Sequence, residues 1–233
     1  MTFVLNALYG KKQSQEDKVL WTGDWNPRNA RDLMEYTISK GYKIDSFELG
    51  KYDVVVTLNY RTSFSHLTMH LIAITCQLVC LSGNELCGSG IAARLESEHY
   101  GKDFIELKKL VIELYPEAST RPNMLGPGGF YDEKWFNTFL QVTGPDLVDA
   151  VTHHLYSLGA GIYLHSTVLQ FRIDYFWGLS KIIVFIRVDH SLINKIQDPY
   201  YLNQVAQTYQ DVSKSIKDFG PWSGAWVGES GGA

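Results

Sequence analysis

Short apolar runs that suit buried strands alternate with amphipathic helical segments along this 233-residue chain. The runs lie at 3–8, 42–49, 124–126, 147–154 and 225–227, and turn residues bound them. Parallel strands need a crossover between them, which is usually a helix. Five strands alternating with four helices therefore predict an α/β fold in which βαβ units build a parallel sheet, either open or closed.

The four predicted helices carry the residues expected at helix ends. The first begins at Asn26 and Pro27 and stops at Gly41, because Asn caps well, Pro suits the first turn and Gly tolerates a left-handed stop. The other three are predicted at about 101–115, 132–142 and 201–219. Apolar residues recur in them at spacings of three and four, so each helix has one face to bury.

Composition favours one folded domain and excludes some partners. The chain is 45% hydrophobic and contains six Trp, 14 Tyr and 11 Phe residues, which is enough to bury a sizeable core. A net charge of -4 gives no basic surface for nucleic acid, so we expect no nucleic-acid partner. The first residues lack the basic and long apolar segments of a signal peptide, and we expect the chain to be a piece of a longer protein.

Residues 51–82 and 162–187 interrupt the alternation. Together they contain none of the seven Pro residues, one of the 20 Gly residues and no sustained helical or strand period. The first stretch follows Gly50, and the codons GGT AAG TAT for Gly50-Lys51-Tyr52 would contain a splice-donor consensus. We interpret both stretches as translated introns, which makes them aberrant insertions. Natural surface insertions are the alternative.

Two further interpretations of the first stretch are disfavoured. Residues 71–81 are strongly apolar, but a membrane-spanning helix needs about 20 such residues. Four residues have spacings that would suit zinc: His66, His70, Cys76 and Cys80. Structural zinc sites usually place ligand pairs on a turn, and no turn-forming residue lies between these four, so we expect no metal site.

Two glutamates stand at the ends of apolar runs and are followed by small residues. Glu85 lies in the sequence GNELCG and Glu229 in the sequence WVGES. The carboxyl ends of barrel strands surround one mouth, where catalytic groups collect. A retaining glycosidase needs two carboxyl groups about 5–5.5 Å apart, one as acid/base and one as nucleophile, and Asn84 could bond a sugar hydroxyl beside them. Two solvated surface glutamates are the alternative, and Cys87 is expected to stay free and buried.

Longer motifs carry a family resemblance. They are KGYKIDSFELG (40–50) joined to NELCGSG (84–90), LGPGGFY (125–131), VTHHLY (151–156) and WVGES (226–230). These motifs resemble the plant heparanase-like proteins of glycoside hydrolase family 79. The resemblance covers essentially all of the chain outside the two odd stretches. Sequences of this family contain Glu-Leu-Gly-Asn-Glu without interruption, so the resemblance also supports the interpretation of 51–82 as a translated intron.

The resemblance implies a (β/α)8 TIM barrel with an accessory β-sandwich. The chain would then be one incomplete barrel domain over 1–233 that holds about strands three to seven and lacks the sandwich. A barrel without three of its strands has open edges, and a misplacement of about 1 Å can lower a rate about a hundredfold. We therefore expect this chain by itself to be inactive.

The resemblance also implies a retaining endo-β-glucuronidase without cofactor or metal. Its partners would be glucuronic-acid-containing polysaccharides or glycoprotein glycans, and its destination would be secreted, lysosomal or vacuolar, with peripheral membrane association. Glu85 would be the acid/base and Glu229 the nucleophile. The implied substrate-binding residues are Asn84, His154, Tyr156 and Asn6. From the residues alone, His153 and His154 would be one buried and one exposed strand residue. The alternative function is a non-catalytic remnant or a glycan-binding pseudoenzyme.

Overall fold

The computed structural model describes residues 1–50, 85–89, 93–158, 162–163, 187–188 and 192–231. The chain divides into two compact units, one of residues 1–154 with 209–229 and one of residues 155–208 with 230–233. The first predicted insertion lies outside the described residues, together with its zinc-like group and its apolar run. All but the ends of the second insertion lie outside them as well.

A five-stranded sheet organises the fold. Its strands are β1 (Thr2–Asn6), β2 (Ser46–Gly50), β3 (Asn123–Phe130), β4 (Ala150–Leu155) and β5 (Gly224–Ser230), side by side in this order. The first four pair in parallel. Gly224 N–H donates to the Asp149 carbonyl and Gly231 N–H to the Leu155 carbonyl, so β5 runs in the same direction as β4.

The predicted α/β fold with a parallel sheet is thereby confirmed. The carboxyl ends of all five strands gather at one edge, as they would in part of a (β/α)8 barrel. Closure into a barrel stays a prediction, as does the accessory sandwich.

Four helices alternate with these strands. They are α1 (Arg28–Ser39), α2 (Ser97–Leu114), α3 (Glu133–Thr143) and α4 (Pro199–Phe219). Asn26 Oδ1 accepts a hydrogen bond from Arg28 N–H at 3.0 Å, and Gly41 has the expected left-handed φ of +67°. The start of α2 lies four residues before the predicted one, because Tyr100 in its first turn is fully buried and tertiary packing extends the helix.

Some short elements were not predicted. They are the helix Leu192–Ile196, the 3-10 turn Ala118–Thr120, and the antiparallel pairs Lys12–Gln13 with Trp21–Thr22 and Ile162–Tyr163 with Arg187–Val188. In the part of the chain that the structure describes, no helix combines the length and apolarity needed to cross a bilayer.

Aromatic packing between α2 and α3 supports the edge of the sheet where the strands end. The Tyr100 ring centroid lies 5.2 Å from those of Trp135 and Phe139. The Tyr100 hydroxyl donates to the Leu49 carbonyl near the end of β2, and Trp135 Nε1 donates to the Leu95 carbonyl. These buried bonds tie both helices to the segments on either side of Glu85.

Candidate active site

Three of the predicted site residues meet at the carboxyl edge of the sheet. Glu85 begins the described segment that follows β2 in the chain, His154 is the penultimate residue of β4, and Glu229 is the penultimate residue of β5. One donor or acceptor atom of each lies within 4.8 Å of the corresponding atoms of the other two. The structure therefore brings the two glutamates and the histidine into one group.

His154 lies between the two carboxylates. Its Nδ1 is 2.8 Å from Glu85 Oε1 and 3.7 Å from Glu229 Oε2. His154 and Glu85 are buried, whereas the Glu229 side chain is 40% exposed. His154 Nε2 has no hydrogen-bond partner among the described residues. A hydrogen on Nδ1 is thus the arrangement in which the ring donates to Glu85 and leaves only the Nε2 acceptor, rather than a donor, without a bond among the described residues.

A close packing contact with the end of β3 positions Glu85. A Cβ atom on Gly129 would lie 2.5 Å from the Cys87 sulfur and 3.3 Å from the Glu85 Cα, so only glycine fits there without displacement. The Cys87 thiol donates to the Phe130 carbonyl at 3.1 Å. Burial raises the pKa of Cys87 to about 12, which keeps the thiol protonated as a donor. The prediction that Cys87 is free and buried is confirmed.

A third carboxyl, Glu48, was not predicted as a site residue. It lies in the middle of β2 and is buried. Burial raises the pKa of Glu48, while a hydrogen bond from the Thr152 hydroxyl and the nearby His154 oppose the rise and the Glu229 charge adds to it. Thr152 Oγ1 in turn accepts a hydrogen bond from Gly128 N–H at 3.0 Å. A charged residue between two apolar neighbours, Phe47 and Leu49, was the available sequence signal.

Asn84, Tyr156 and Asn6 are the other predicted site residues. Asn84 lies outside the described residues, and Tyr156 belongs to the second unit. Asn6 ends β1, but its Oδ1 accepts a local hydrogen bond from Leu8 N–H at 2.9 Å. The substrate-binding roles of these three residues stay predictions.

The histidine pair differs from the expectation based on residues alone. Both His153 and His154 are buried, so the idea of one exposed histidine is wrong. The His153 ring packs edge-on against the Tyr209 ring of α4 at 5.9 Å, and the helix therefore covers the outer face of the strand.

The group could also bind a cation. An imidazole nitrogen with carboxylate oxygens is a donor set that zinc accepts. The same geometry suits acid/base chemistry between two carboxyl groups.

Comparisons with known proteins identify the family. The chain matches the model described as glycosyl hydrolase family 79, N-terminal domain, over residues 1–74, 68–170 and 185–233. It is 36% identical over 233 residues to heparanase-like protein 2 of Arabidopsis thaliana, which covers 100% of this chain and 32% of that protein. It is 32% identical over 231 residues to heparanase-like protein 3 of the same plant, covering 99% and 32%.

A more distant relative carries a different name. The chain is 26% identical over 242 residues to baicalin-beta-D-glucuronidase of Scutellaria baicalensis, covering 99% of this chain and 34% of that protein. The chain thus spans about a third of the length of the curated relatives it matches. With a family match over most of its length, the chain belongs to glycosyl hydrolase family 79, a family of glycosidases, as one of its heparanase-like members.

Proposed function

We propose that this chain carries the catalytic pair of a retaining endo-β-glucuronidase that acts on glucuronic-acid-containing polysaccharides or glycoprotein glycans. The observation that carries the proposal is the meeting of Glu85 and Glu229: one carboxylate oxygen of each lies within 4.8 Å of one of the other. Retaining glycosidases hold their carboxyl groups about 5–5.5 Å apart, and inverting ones about 6.5–9.5 Å. The glucuronide part of the proposal draws on the relative that is named a β-D-glucuronidase.

The two glutamates divide the chemistry. Glu229 attacks the anomeric carbon, the bond to the leaving-group oxygen breaks, and Glu85 gives its proton to that oxygen. Water then enters, Glu85 takes a proton from it, and the resulting hydroxyl group displaces Glu229 from the anomeric carbon. The assignment of acid and nucleophile follows the family motifs around the two residues.

His154 acts as a positioning residue in this scheme. Its Nδ1 lies at hydrogen-bond distance from Glu85 and within 3.7 Å of Glu229. It therefore fixes the orientation of the Glu85 carboxyl group, which has to point at the glycosidic oxygen. Fixed orientation of a catalytic group supplies part of the rate enhancement, because no ordering remains to be done in the transition state.

A non-catalytic remnant is the second candidate, and the position of the first odd stretch favours it. Residues 51–84 separate β2 from Glu85, so the proposed acid/base does not directly follow that strand. We propose that the 233-residue chain by itself has negligible turnover and that the stretches 51–82 and 162–187 are insertions. Two observations support the second insertion: its ends pair as Ile162–Tyr163 with Arg187–Val188, and residues 171–184 lie outside the family match.

An assay with an aryl β-glucuronide tests both proposals. The chain as written is compared with a version extended to the length of its relatives from which the two stretches are deleted, hereafter the repaired enzyme. We expect hydrolysis by the repaired enzyme only, with the β anomer as the first product in proton NMR. Folded but inactive repaired enzyme would end the enzymatic proposal, and an α first product would end the retaining one. Finding both stretches in the mature transcript would end the insertion proposal.

A further inference from the structure

Strand β3 contains one extra residue just before it reaches the Glu85 segment. Pro127 pairs with Thr152, and Gly129 pairs with the next residue of β4, His153, so the register shifts and β3 has one residue more than β4 here. The extra residue is Gly128, which has a left-handed φ of +62°. The irregularity is therefore a β-bulge, a feature that redirects a strand and is common beside active sites.

The side chain of Thr152 holds this bulge. Its Oγ1 accepts a hydrogen bond from Gly128 N–H at 3.0 Å, in a buried position. A bulge interrupts the hydrogen bonds between two strands, and a buried N–H that lacks an acceptor destabilises the fold. Thr152 therefore supplies an acceptor from its side chain at the point where the regular ladder is interrupted.

Glu48 completes the arrangement from β2. Strand β3 lies between β2 and β4, so the Glu48 side chain reaches across β3 to accept a hydrogen bond from the Thr152 hydroxyl. Because the Thr152 oxygen already accepts from Gly128 N–H, its single hydrogen is the part that serves Glu48. Glu48 is 5% exposed and Thr152 is 2% exposed, so bulk water cannot replace either bond.

The two residues after the bulge touch the segment that carries the proposed acid/base. The Gly129 backbone packs against the Glu85 Cα so closely that a Cβ would lie 3.3 Å from it. The Phe130 carbonyl accepts the hydrogen bond of the Cys87 thiol, two residues after Glu85, at 3.1 Å. The place of the Glu85 segment thus depends on the path that β3 takes after Gly128.

We propose that Thr152 and Glu48 are positioning residues for the acid/base Glu85. Their hydrogen-bonded pair fixes the bulge at Gly128, and the bulge holds Gly129 and Phe130 against the Glu85 segment. Neither side chain has to touch the substrate in this role. The inference rests on the proposed function and adds two residues from outside the Glu85–His154–Glu229 group to it.

A role through the nucleophile is the competing explanation. A Cβ on Gly228, the residue before Glu229, would lie 3.8 Å from the Thr152 Cβ, so β5 also packs close to this side chain. The two explanations differ in the substrates that they affect. A general acid matters most for a basic leaving group, whereas the nucleophile is needed for every substrate.

Kinetics of Thr152→Val in the repaired enzyme test the inference. Valine keeps the shape of threonine but removes both hydrogen bonds. We expect kcat on methyl β-D-glucuronide to fall about 10-fold to 100-fold, as for an acid displaced by up to about 1 Å. The first step on 2,4-dinitrophenyl β-D-glucuronide, measured as a burst, should fall less than about threefold, because this leaving group needs little protonation. An equal loss on both substrates would assign the effect to Glu229 and overturn the inference.

Further variants connect the effect to the hydrogen bonds. Thr152→Ser keeps the hydroxyl and Glu48→Gln keeps an acceptor, so both should retain most of the activity on the methyl glycoside. Glu48→Met should reproduce the leaving-group pattern of Thr152→Val, and the double variant should lose little more than Thr152→Val alone, since both changes break one arrangement. Additive losses, or equal losses in the conservative variants, would contradict the inference.

Thr143→Val is the matched control. Thr143 is also buried, and its hydroxyl donates to the Phe139 carbonyl at 3.0 Å within α3, away from the bulge. The control variant should lower the melting temperature without changing the ratio of the rates on the two substrates. A changed ratio in this variant would show that general destabilisation produces the pattern, and the inference would fail.

The reactivity of Cys87 gives a second measurement that needs no turnover. Its buried thiol can react with iodoacetamide only when the segment opens, and peptide mass spectrometry measures the reaction at this residue. In the 233-residue chain, held at equal distance below each melting temperature, Thr152→Val should speed the reaction at least about fivefold. Thr152→Ser and Thr143→Val should stay within about twofold of the parent.

The two measurements separate this inference from the proposed function. If the repaired enzyme hydrolyses neither glucuronide, the glucuronidase proposal fails, and the positioning of an acid fails with it. The reactivity of Cys87 then still decides whether Thr152 holds the Glu85 segment. If the repaired enzyme is active but Thr152→Val changes neither the ratio of the two rates nor the reactivity of Cys87, the inference alone is wrong.

Discussion

His154 Nδ1 lies 2.8 Å from Glu85 Oε1, although 69 positions separate the two residues in the chain. Both side chains are buried, and His154 sits one residue before the end of a strand whose neighbours on either side are also strands. The histidine is therefore the rigid partner. It anchors a carboxyl group that lies in the connection between β2 and α2 rather than in a strand.

We expect His154→Ala in the repaired enzyme to lower kcat about 10-fold to 100-fold, because without this contact the Glu85 carboxyl group is no longer held in place, and a misplacement of about 1 Å can cost about a hundredfold in rate. The pH profile of kcat should shift as well, since the environment of both carboxylates changes. His153→Ala is the control: it is equally buried but faces Tyr209 on the other side of the strand. The control should lower the melting temperature while leaving the pH profile in place. A shifted profile in both variants would contradict the positioning role.

The leaving group should separate the roles of the two glutamates. A general acid matters in proportion to the basicity of the leaving group and contributes about 10²- to 10⁴-fold. Glu85→Gln in the repaired enzyme should therefore hydrolyse methyl β-D-glucuronide far more slowly than the parent. It should keep most of the parent rate for the first step, formation of the glycosyl-enzyme, on 2,4-dinitrophenyl β-D-glucuronide. Glu229→Gln should be inactive on both, since it removes the nucleophile. Steady-state and burst kinetics measure this, and the reverse pattern would exchange the two roles.

Glu48 should make stability depend on pH. Burial raises its pKa above the ordinary 4.5, so the folded state binds the proton more tightly than the unfolded state. The contribution of this proton to the free energy of unfolding is complete below pH 4.5. It is lost as the pH rises through the raised pKa of Glu48 in the folded state. Glu48→Gln stays neutral and can still accept the Thr152 hydrogen bond. We expect the melting temperature of the variant minus that of the parent to grow from pH 4 to pH 7. A difference that does not change with pH would contradict the raised pKa.

The order of strands and helices could be predicted because their apolar periods are strong and their ends carry Gly, Pro and Asn. The extent of β3 could not. Its Gly-Pro-Gly-Gly core reads as a turn in sequence, yet β3 runs over Asn123–Phe130 and is buried from Met124 to Gly129. Gly126 lies where a Cβ would meet the Tyr100 hydroxyl and the Phe104 ring at 3.0 Å, so Gly126 serves close packing rather than a turn.

The candidate site could be predicted in part. Glu85 and Glu229 were identified from strand ends, small neighbours and family motifs, and His154 from its motif. Glu48 was missed although it is a charged residue between apolar neighbours, because the side chains that influence its pKa, Thr152 and His154, lie on another strand, β4. The hydrogen bond of Asn6 to Leu8 is likewise a product of the folded loop.

Gly129 offers the sharpest test of how the fold places Glu85. An added Cβ would meet the Cys87 sulfur at 2.5 Å and the Glu85 Cα at 3.3 Å, and both neighbours are buried and cannot move aside freely. We expect Gly129→Ala to lower the free energy of unfolding by about 1–3 kcal/mol, the usual penalty of overpacking. In the repaired enzyme it should also lower kcat about a hundredfold, because the acid/base moves with its backbone.

Two further variants separate displacement of Glu85 from general damage. Gly224→Ala is the control, since its Cβ would meet nothing closer than 3.6 Å, and it should change kcat little. The double variant Gly129→Ala/Cys87→Ala removes the sulfur that the new methyl group strikes, so it should regain part of the lost activity. Urea unfolding and kcat measured together decide the matter. If the double variant recovers stability but not kcat, the contact with the Glu85 backbone is the one that matters, and if Gly129→Ala is fully active, this contact does not position the acid at all.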